Sequence, residues 1–199
     1  MHVLQQNQIL EVASQLFFEL GFFKTKISDI AARSETSTAS IYKIYPSKDA
    51  VFWAVIERTV SQIRLRIKQV DPPSDPMTFL NDVARNYQEL CETDLFQNLI
   101  RIALLQNQLP GIRQREVERS IRGIIADLCL PALYACGRME LINLKKVDAA
   151  LGLLSSFIEY HTIWYNFLTG EKKERALVGK EISQEAVRIT LLAYQPSPA

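Results

Sequence analysis

The sequence predicts an all-α protein. Apolar residues recur at helical spacing almost continuously, and the strict polar–apolar alternation of strands is scarce. Only seven Gly and eight Pro punctuate 199 residues. With 48% hydrophobic residues and a formal net charge of +1, the chain is long and apolar enough to bury a sizeable core.

The elements follow from spacing and punctuation. Ile9, Leu10, Ala13, Leu16, Phe17 and Leu20 form the apolar face of a first helix, which Gly21 is expected to end in a positive-φ conformation. A second helix is expected from Thr25 as N-cap, with Asp29 in its early turns and Ile27, Ile30 and Ala31 inside. A third begins at Ser37 or Thr38, turns Ile41 and Tyr45 inward, and stops at Pro46. Ser47 caps a fourth, through Val51, Phe52, Val55, Ile56 and Val60 to about Val70, before the breaker "DPPSDP". Beyond it, helices are expected near 76–92, 94–108, 114–137, 145–169 and 173–194, with a kink at Pro131. The expected division is 1–48 and 49–199, with the helix 47–70 connecting the two.

Three short helices with a tight link between the second and third match the helix-turn-helix plan, in which the last helix enters the DNA major groove. On that helix Thr38, Ala39, Tyr42 and Lys43 spread over the outer arc. Short hydroxyls suit phosphates and base edges, and an Ala or Thr methyl packs on a thymine methyl. Thr25 and Lys26 at the second helix start, and Ser47 and Lys48 at the fourth, would clamp phosphates on either side.

The segment "ILEVASQLFFELGFFKTKISDIAARSETSTASIYKIYPSKDAVFWAVI" resembles the N-terminal domain of TetR-family transcriptional regulators. That pattern is an apolar helix, a Gly, then T-x-x-x-x-IA-x-x-x-G-x-S-x-x-x-[LI]-Y-x-x-F-x-[SN]-K. Gly21, Thr25, Ile30, Ala31, Ser37, Ile41, Tyr42, Tyr45, Ser47 and Lys48 fall in register without a gap. The resemblance implies that Thr25, Lys26, Tyr42 and Lys48 hold phosphates, while Ser28, Thr38, Ala39, Ser40, Lys43 and Ile44 face bases or the groove wall. Ser37, opening the third helix, belongs to the same DNA-facing set. Two positions depart from the pattern: Glu35 stands at the usual turn Gly, and Thr36 replaces the apolar residue behind it.

Charge bears on how such a head would bind. Residues 1–50 hold Lys24, Lys26, Arg33, Lys43 and Lys48 against Glu11, Glu19, Asp29, Glu35 and Asp49, a net of zero, and residues 1–10 hold no Lys or Arg. Since phosphate neutralisation supplies most non-specific affinity, weak binding to bulk DNA is expected, with reliance on a palindromic operator held by two subunits.

In the larger domain, Val147, Leu151, Leu154, Ile158, His161, Tyr165 and Leu168 form one apolar stripe, and Leu153, Phe157, Tyr160, Trp164 and Phe167 a second, about 120° away. Asp148, Gly152, Ser155, Glu159, Thr162 and Asn166 form a small or polar third. One apolar stripe suffices for a protomer's own core, so the second implies another partner. With Leu177, Val178, Ile182, Ala186, Ile189 and Leu192 on the last helix, a four-helix isologous interface is expected. The residues assigned to this homodimer face are Leu151, Leu154, Ile158, Tyr165, Ile182, Ala186 and Ile189.

The resemblance also implies an effector pocket among the middle helices. Candidate lining residues are Phe79, Tyr87, Phe96, Ile100, Leu104, Tyr134, Phe157, His161 and Trp164, with Arg101 and Glu159 as polar anchors; an aromatic stripe at this spacing is more often plain core. The expected effector is a largely apolar small molecule that shifts the population toward a state with splayed DNA heads.

No Gly-rich phosphate loop, HExxH or GxSxG occurs, and His2 and His161 are the only histidines, so neither an enzyme nor a cofactor is expected. Cys91, Cys129 and Cys136 lack metal-ligand or disulfide spacing and read as buried thiols, with Cys129 and Cys136 on one helix face leaving room for a redox sensor. No uncharged run of about 18 apolar residues supports a membrane span, and "MHVLQQNQIL" lacks a basic n-region, so the cytoplasm is the expected compartment. The alternative to a DNA-binding repressor is a helical homodimer that binds a protein partner and has weak or no DNA binding.

Overall fold

The computed structural model describes residues 2–67, 75–105, 114–169 and 179–196, all helix or short connection with no strand among them. In order these are α1 (His2–Lys24), α2 (Ile27–Arg33), α3 (Thr38–Ile44), α4 (Lys48–Arg66), α5 (Pro76–Cys91), α6 (Asp94–Leu105), α7 (Gln114–Arg138), α8 (Val147–Glu159), α9 (Tyr165–Thr169) and α10 (Lys180–Tyr194). A 3-10 turn, Leu144–Lys146, precedes α8, and a π-turn, Tyr160–Trp164, joins α8 to α9. The expected ends at Val70 and 106–108, most of the "DPPSDP" breaker, and Leu177 and Val178 lie outside the described residues.

The chain divides into two compact units, Met1–Arg64 with Asn98–Ser120, and Leu65–Gln97 with Ile121–Ala199. In the first, Ile9, Ala13, Leu16, Phe17, Ile30, Ile41, Val51, Phe52 and Ile56 are buried. Phe17 and Phe22 stack at 5.7 Å, and Phe52 meets them edge-on at 5.2 and 5.4 Å. Each such ring contributes about 1.5–3 kcal/mol on leaving water. Gly21 interrupts α1 with φ 77° and ψ 165°, a conformation that favours glycine, and so swings Phe22 back onto this cluster.

In the second unit α10 packs on both α5 and α8, and α5 on α8. Asp75 caps α5, accepting from the N–H groups of Met77 and Thr78 at 3.2 and 2.9 Å. α10 starts after Gly179, which has no side chain to cap it. Gln88 does so from α5: its Nε2 donates to Gly179 O at 2.8 Å, and its Oε1 accepts from the Ser183 N–H at 3.1 Å. Gln88→Ala removes the acceptor of the buried Ser183 N–H, while Gly179 O keeps the Ile182 N–H at 3.3 Å, and is expected to cost about 1–3 kcal/mol, read as a fall in Tm of several degrees.

α7 carries a stretch, Arg115–Arg138, whose best window has a mean hydropathy of 1.3, long and apolar enough by composition to cross a membrane, though with Arg122 and Asp127 inside it the stretch is no uncharged run. Its apolar residues Ile124, Leu128, Cys129, Ala132, Leu133 and Cys136 are packed against protein. The helix continues through Pro131.

Candidate nucleic-acid interface and effector unit

The helix-turn-helix is made by α2, α3 and the link between them. Ser37 caps α3, its Oγ accepting from the Ser40 N–H at 3.0 Å, and Ile41 anchors the helix from below at 0% exposure. Ser37, Thr38, Ala39, Tyr42 and Lys43 are thereby held outward on one face. Ser40 and Ile44 are half-buried at its margins, and Ser28 and Lys26 are exposed on and just before α2.

The two departures in the turn each have a structural counterpart. Glu35 sits at φ 52°, the left-handed conformation a glycine would adopt more readily, at a cost of order 1 kcal/mol. Thr36 is met by Gln5 of α1, whose Nε2 donates to Thr36 Oγ1 at 3.1 Å. Glu35→Gly relieves the backbone strain, offset in part by glycine's larger chain entropy, and removes a negative charge from the helix-turn-helix. The expected outcome is a several-fold gain in DNA affinity with stability changed by less than about 1 kcal/mol, checked by fluorescence anisotropy and thermal unfolding.

Two expected phosphate contacts are corrected. Thr25 is 0% exposed, and its hydroxyl donates to Leu16 O and Gly21 O at 3.1 and 2.8 Å, so it ties α1 to the start of α2. It is also not the N-cap: Lys26 is, with its N–H donating to the Asp29 carboxylate at 3.3 Å. Lys48 is drawn inward, its Nζ donating to the carbonyls of Phe22, Phe23 and Thr25 at 2.8, 3.4 and 3.1 Å while lying 4.3 Å from the centre of the Phe22 ring. Burial holds its pKa below the usual lysine value. Arg33 and Arg58 are paired with Glu19 and Glu11 at 3.1 and 2.9 Å. Lys26 and Lys43 therefore remain as cations of the predicted DNA-facing set.

The candidate pocket residues do not form one group. Tyr87 and Phe96 are fully buried and meet edge-on at 6.4 Å. Tyr87 OH donates to Glu159 Oε1 at 2.5 Å, joining α5 to α8. Phe79 is core in the same unit, and Tyr134 is 42% exposed. Ile100, Arg101 and Leu104 belong to the first unit, where the Arg101 guanidinium lies 4.8 Å from the Phe18 ring centre. Phe157, His161 and Trp164 are half-exposed on another face of the α8–α9 run, with His161 4.7 Å from Phe157 and 5.1 Å from Tyr160.

The dimer face is corrected by burial. Leu154, Ile158, Ile182 and Ala186 are 0% exposed within one protomer, so this stripe joins α8, α10 and α5 rather than a second copy. Leu151, Tyr165 and Ile189 stay half-exposed. The second stripe is the outward one: Leu153, Phe157, Trp164 and Phe167 are half-exposed and Tyr160 is 54% exposed.

Residues 9–55 match the family described as bacterial regulatory proteins, tetR family. The whole chain is similar in fold to a flavonoid-responsive regulator, FrrA, with TM-score 0.72 and 20% identity over 98% of each chain. It is likewise similar to a TetR transcriptional regulator from Agrobacterium tumefaciens, with TM-score 0.71 and 21% identity over 96% of this chain and 94% of that one. The chain has the architecture of a TetR-family transcriptional regulator. A further regulator of this fold, from Saccharomonospora viridis, is in complex with choline; it has TM-score 0.66 and 17% identity over 93% of this chain and 92% of that one. No curated protein matches the chain by sequence.

Sequence reasoning passed over the polar stripe of α8 as a surface. Ser155 and Thr162 are buried, and Thr162 satisfies its hydroxyl on the Ile158 carbonyl of its own helix at 2.7 Å. That local bond lets a polar stripe face inward. The three thiols are buried, and burial pushes Cys129 up to about 12 and Cys136 to about 11, which disfavours the reactive thiolate a redox sensor needs.

Proposed function

We propose that the chain is a homodimeric transcriptional repressor of the cytoplasm that binds a palindromic operator through α3 and is released when a small molecule binds its C-terminal helical unit. The observation that carries the reading is the exposed face Ser37, Thr38, Ala39, Tyr42 and Lys43 set over the buried Ile41, on a helix-turn-helix inside the TetR-family match. DNA-binding regulation follows from the family architecture; repression, the operator and its release are the proposal.

The second copy would seat on the outward stripe of the α8–α9 run, Leu153, Phe157, Tyr160, Trp164 and Phe167, with the half-exposed Ile189 and the exposed Leu192 of α10. Aromatic side chains at this exposure are what a homodimer interface buries. The flavonoid-responsive and choline-bound relatives of the fold support a small-molecule effector in the helical unit.

Selection of bound fragments from random duplex DNA, repeated for the winner at two salt concentrations, tests the reading. A pseudo-palindromic site whose affinity falls steeply with salt is the expected result. Absence of any enriched site at low salt would favour the alternative, a helical dimer that binds a protein partner.

A further inference from the structure

The turn between α2 and α3 places one residue where two helix ends each call for an apolar side chain. α2 closes as a Schellman motif: the Glu35 N–H donates to Ala32 O at 3.4 Å and the Thr36 N–H to Ala31 O at 3.0 Å, with Glu35 in the left-handed position. In that motif the residue after the left-handed one, here Thr36, commonly makes an apolar contact back to its helix. α3 opens one residue later, at the Ser37 cap. Thr36 therefore also holds the position whose apolar side chain staples onto the fourth residue of the new helix, here the buried Ile41, and fixes the angle of entry. Thr36 is poorly suited to either contact, because its hydroxyl needs a hydrogen-bond partner of its own.

The start of α1 supplies that partner. Gln5 Nε2 donates to Thr36 Oγ1 at 3.1 Å across 31 residues of chain, and both side chains are half-buried. Gln5 lies one turn before Ile9, which is 0% exposed, so helical spacing sets it on the face of α1 that already packs in the core. Residues 1–10 hold no Lys or Arg, so this segment brings no positive side chain to DNA. What it brings is a fixed point for the turn. α3 is seven residues long and Ile41 is its one buried residue, so little else holds its aim. The first residues of a recognition helix reach the base edges, and a binding constellation works only when held to within about 0.5 Å.

We propose that Gln5 is a positioning residue for operator recognition. Acting through Thr36, it sets the angle at which α3 leaves the turn, in place of an apolar staple, and so governs base discrimination by Thr38 and Ala39 without itself touching DNA. The inference rests on the reading of α3 as the groove helix and adds the first turns of α1 to the recognition apparatus. It also pairs the two sequence departures of the turn with one compensation: the strained Glu35 and the polar Thr36 are held from α1.

The test measures the full chain by anisotropy on the selected operator and on a random-sequence duplex, across a salt series, with Gln5→Ala, Thr36→Ala and the double variant. Each single variant is expected to bind the operator about tenfold more weakly, and the double variant no more weakly than either, because both remove one bond. Affinity for the random duplex and the salt slope are expected to stay unchanged, since no phosphate contact is lost. Thr36→Val in the Gln5→Ala background is expected to recover most of the operator affinity by supplying the apolar staple. On the DNA-free chain, amide exchange at Ser40 and Ile41 is expected to quicken in Gln5→Ala and to slow again with Thr36→Val, with α4 unaffected. Additive losses, an equal loss on the random duplex, a flattened salt slope, no recovery with Thr36→Val or unaltered exchange on α3 would each overturn the proposal. Operator binding that ignores Gln5→Ala sinks this inference alone and leaves the regulator reading standing. No selected operator for the unaltered chain sinks the regulator reading itself, and quickened exchange would then confine the Gln5 bond to folding.

Discussion

Tyr42→Ala combined with Lys43→Ala abolishes specific operator binding at physiological salt and leaves the fold intact. Both side chains are exposed on α3 while Ile41, beneath them, carries the packing, so their removal takes nothing from the core. The loss is large because the head has little charge to spare. Residues 1–50 are net neutral, Arg33 is paired with Glu19, and Lys48 is drawn into the α1–α2 junction. One lysine is then a substantial share of the phosphate contact. A base or groove contact and a phosphate contact together contribute about 2 kcal/mol per protomer, or roughly a thousandfold in a symmetric dimer. Losing Lys43 should also flatten the dependence of log affinity on log salt by about one unit per protomer. Anisotropy across a salt series checks both terms, with circular dichroism as the control for folding. Unchanged binding by a folded double variant would remove α3 from the groove.

The second large effect separates two faces of one helix. Phe157→Glu with Tyr160→Glu is expected to give folded monomers by sedimentation, because both positions face outward in the protomer and the charges are tolerated until a second copy approaches. Leu154→Glu, three positions earlier on the 0% exposed stripe, places an unpaired carboxylate among α8, α10 and α5. Its cost is about 3–5 kcal/mol or more, comparable with the whole stability of a domain, so loss of the folded state is expected. Dimers from the outward pair, or folded monomers from Leu154→Glu, would reverse the assignment of the two stripes.

That assignment marks the limit of what the sequence could show. Helical spacing revealed two apolar stripes on 145–169; the structure buries one of them within the protomer and leaves the other half-exposed. Spacing carries no information on which stripe the protomer keeps for itself, and that depends on where α5 and α10 arrive. Gly21, the Ser37 cap, the Ser47 cap and the α5 start at Pro76 were legible because each is a local backbone requirement. Thr25 misled for an equally local reason. A threonine before a helix can cap it forward, or bond back to the turn it leaves, as Thr25 does to Gly21 O and Leu16 O. Lys48 matched a phosphate-holding pattern, yet its reach to three carbonyls near Phe22 exists only once α1 and α4 are packed. Glu159 and Tyr87 were separately named, 72 residues apart, and only the fold brings them to 2.5 Å.

The central claim, that α3 of two protomers lies in the major groove, is met most directly by affinity cleavage. Thr38→Cys offers an exposed thiol on α3, whereas Cys91, Cys129 and Cys136 are buried, so an iron–EDTA reagent should attach at position 38 alone. On the selected operator the account predicts strand cleavage at two symmetric patches with a major-groove offset, separated by about one helical turn of 10 base pairs or a multiple of it. A single patch, a minor-groove offset or scattered cleavage would contradict it.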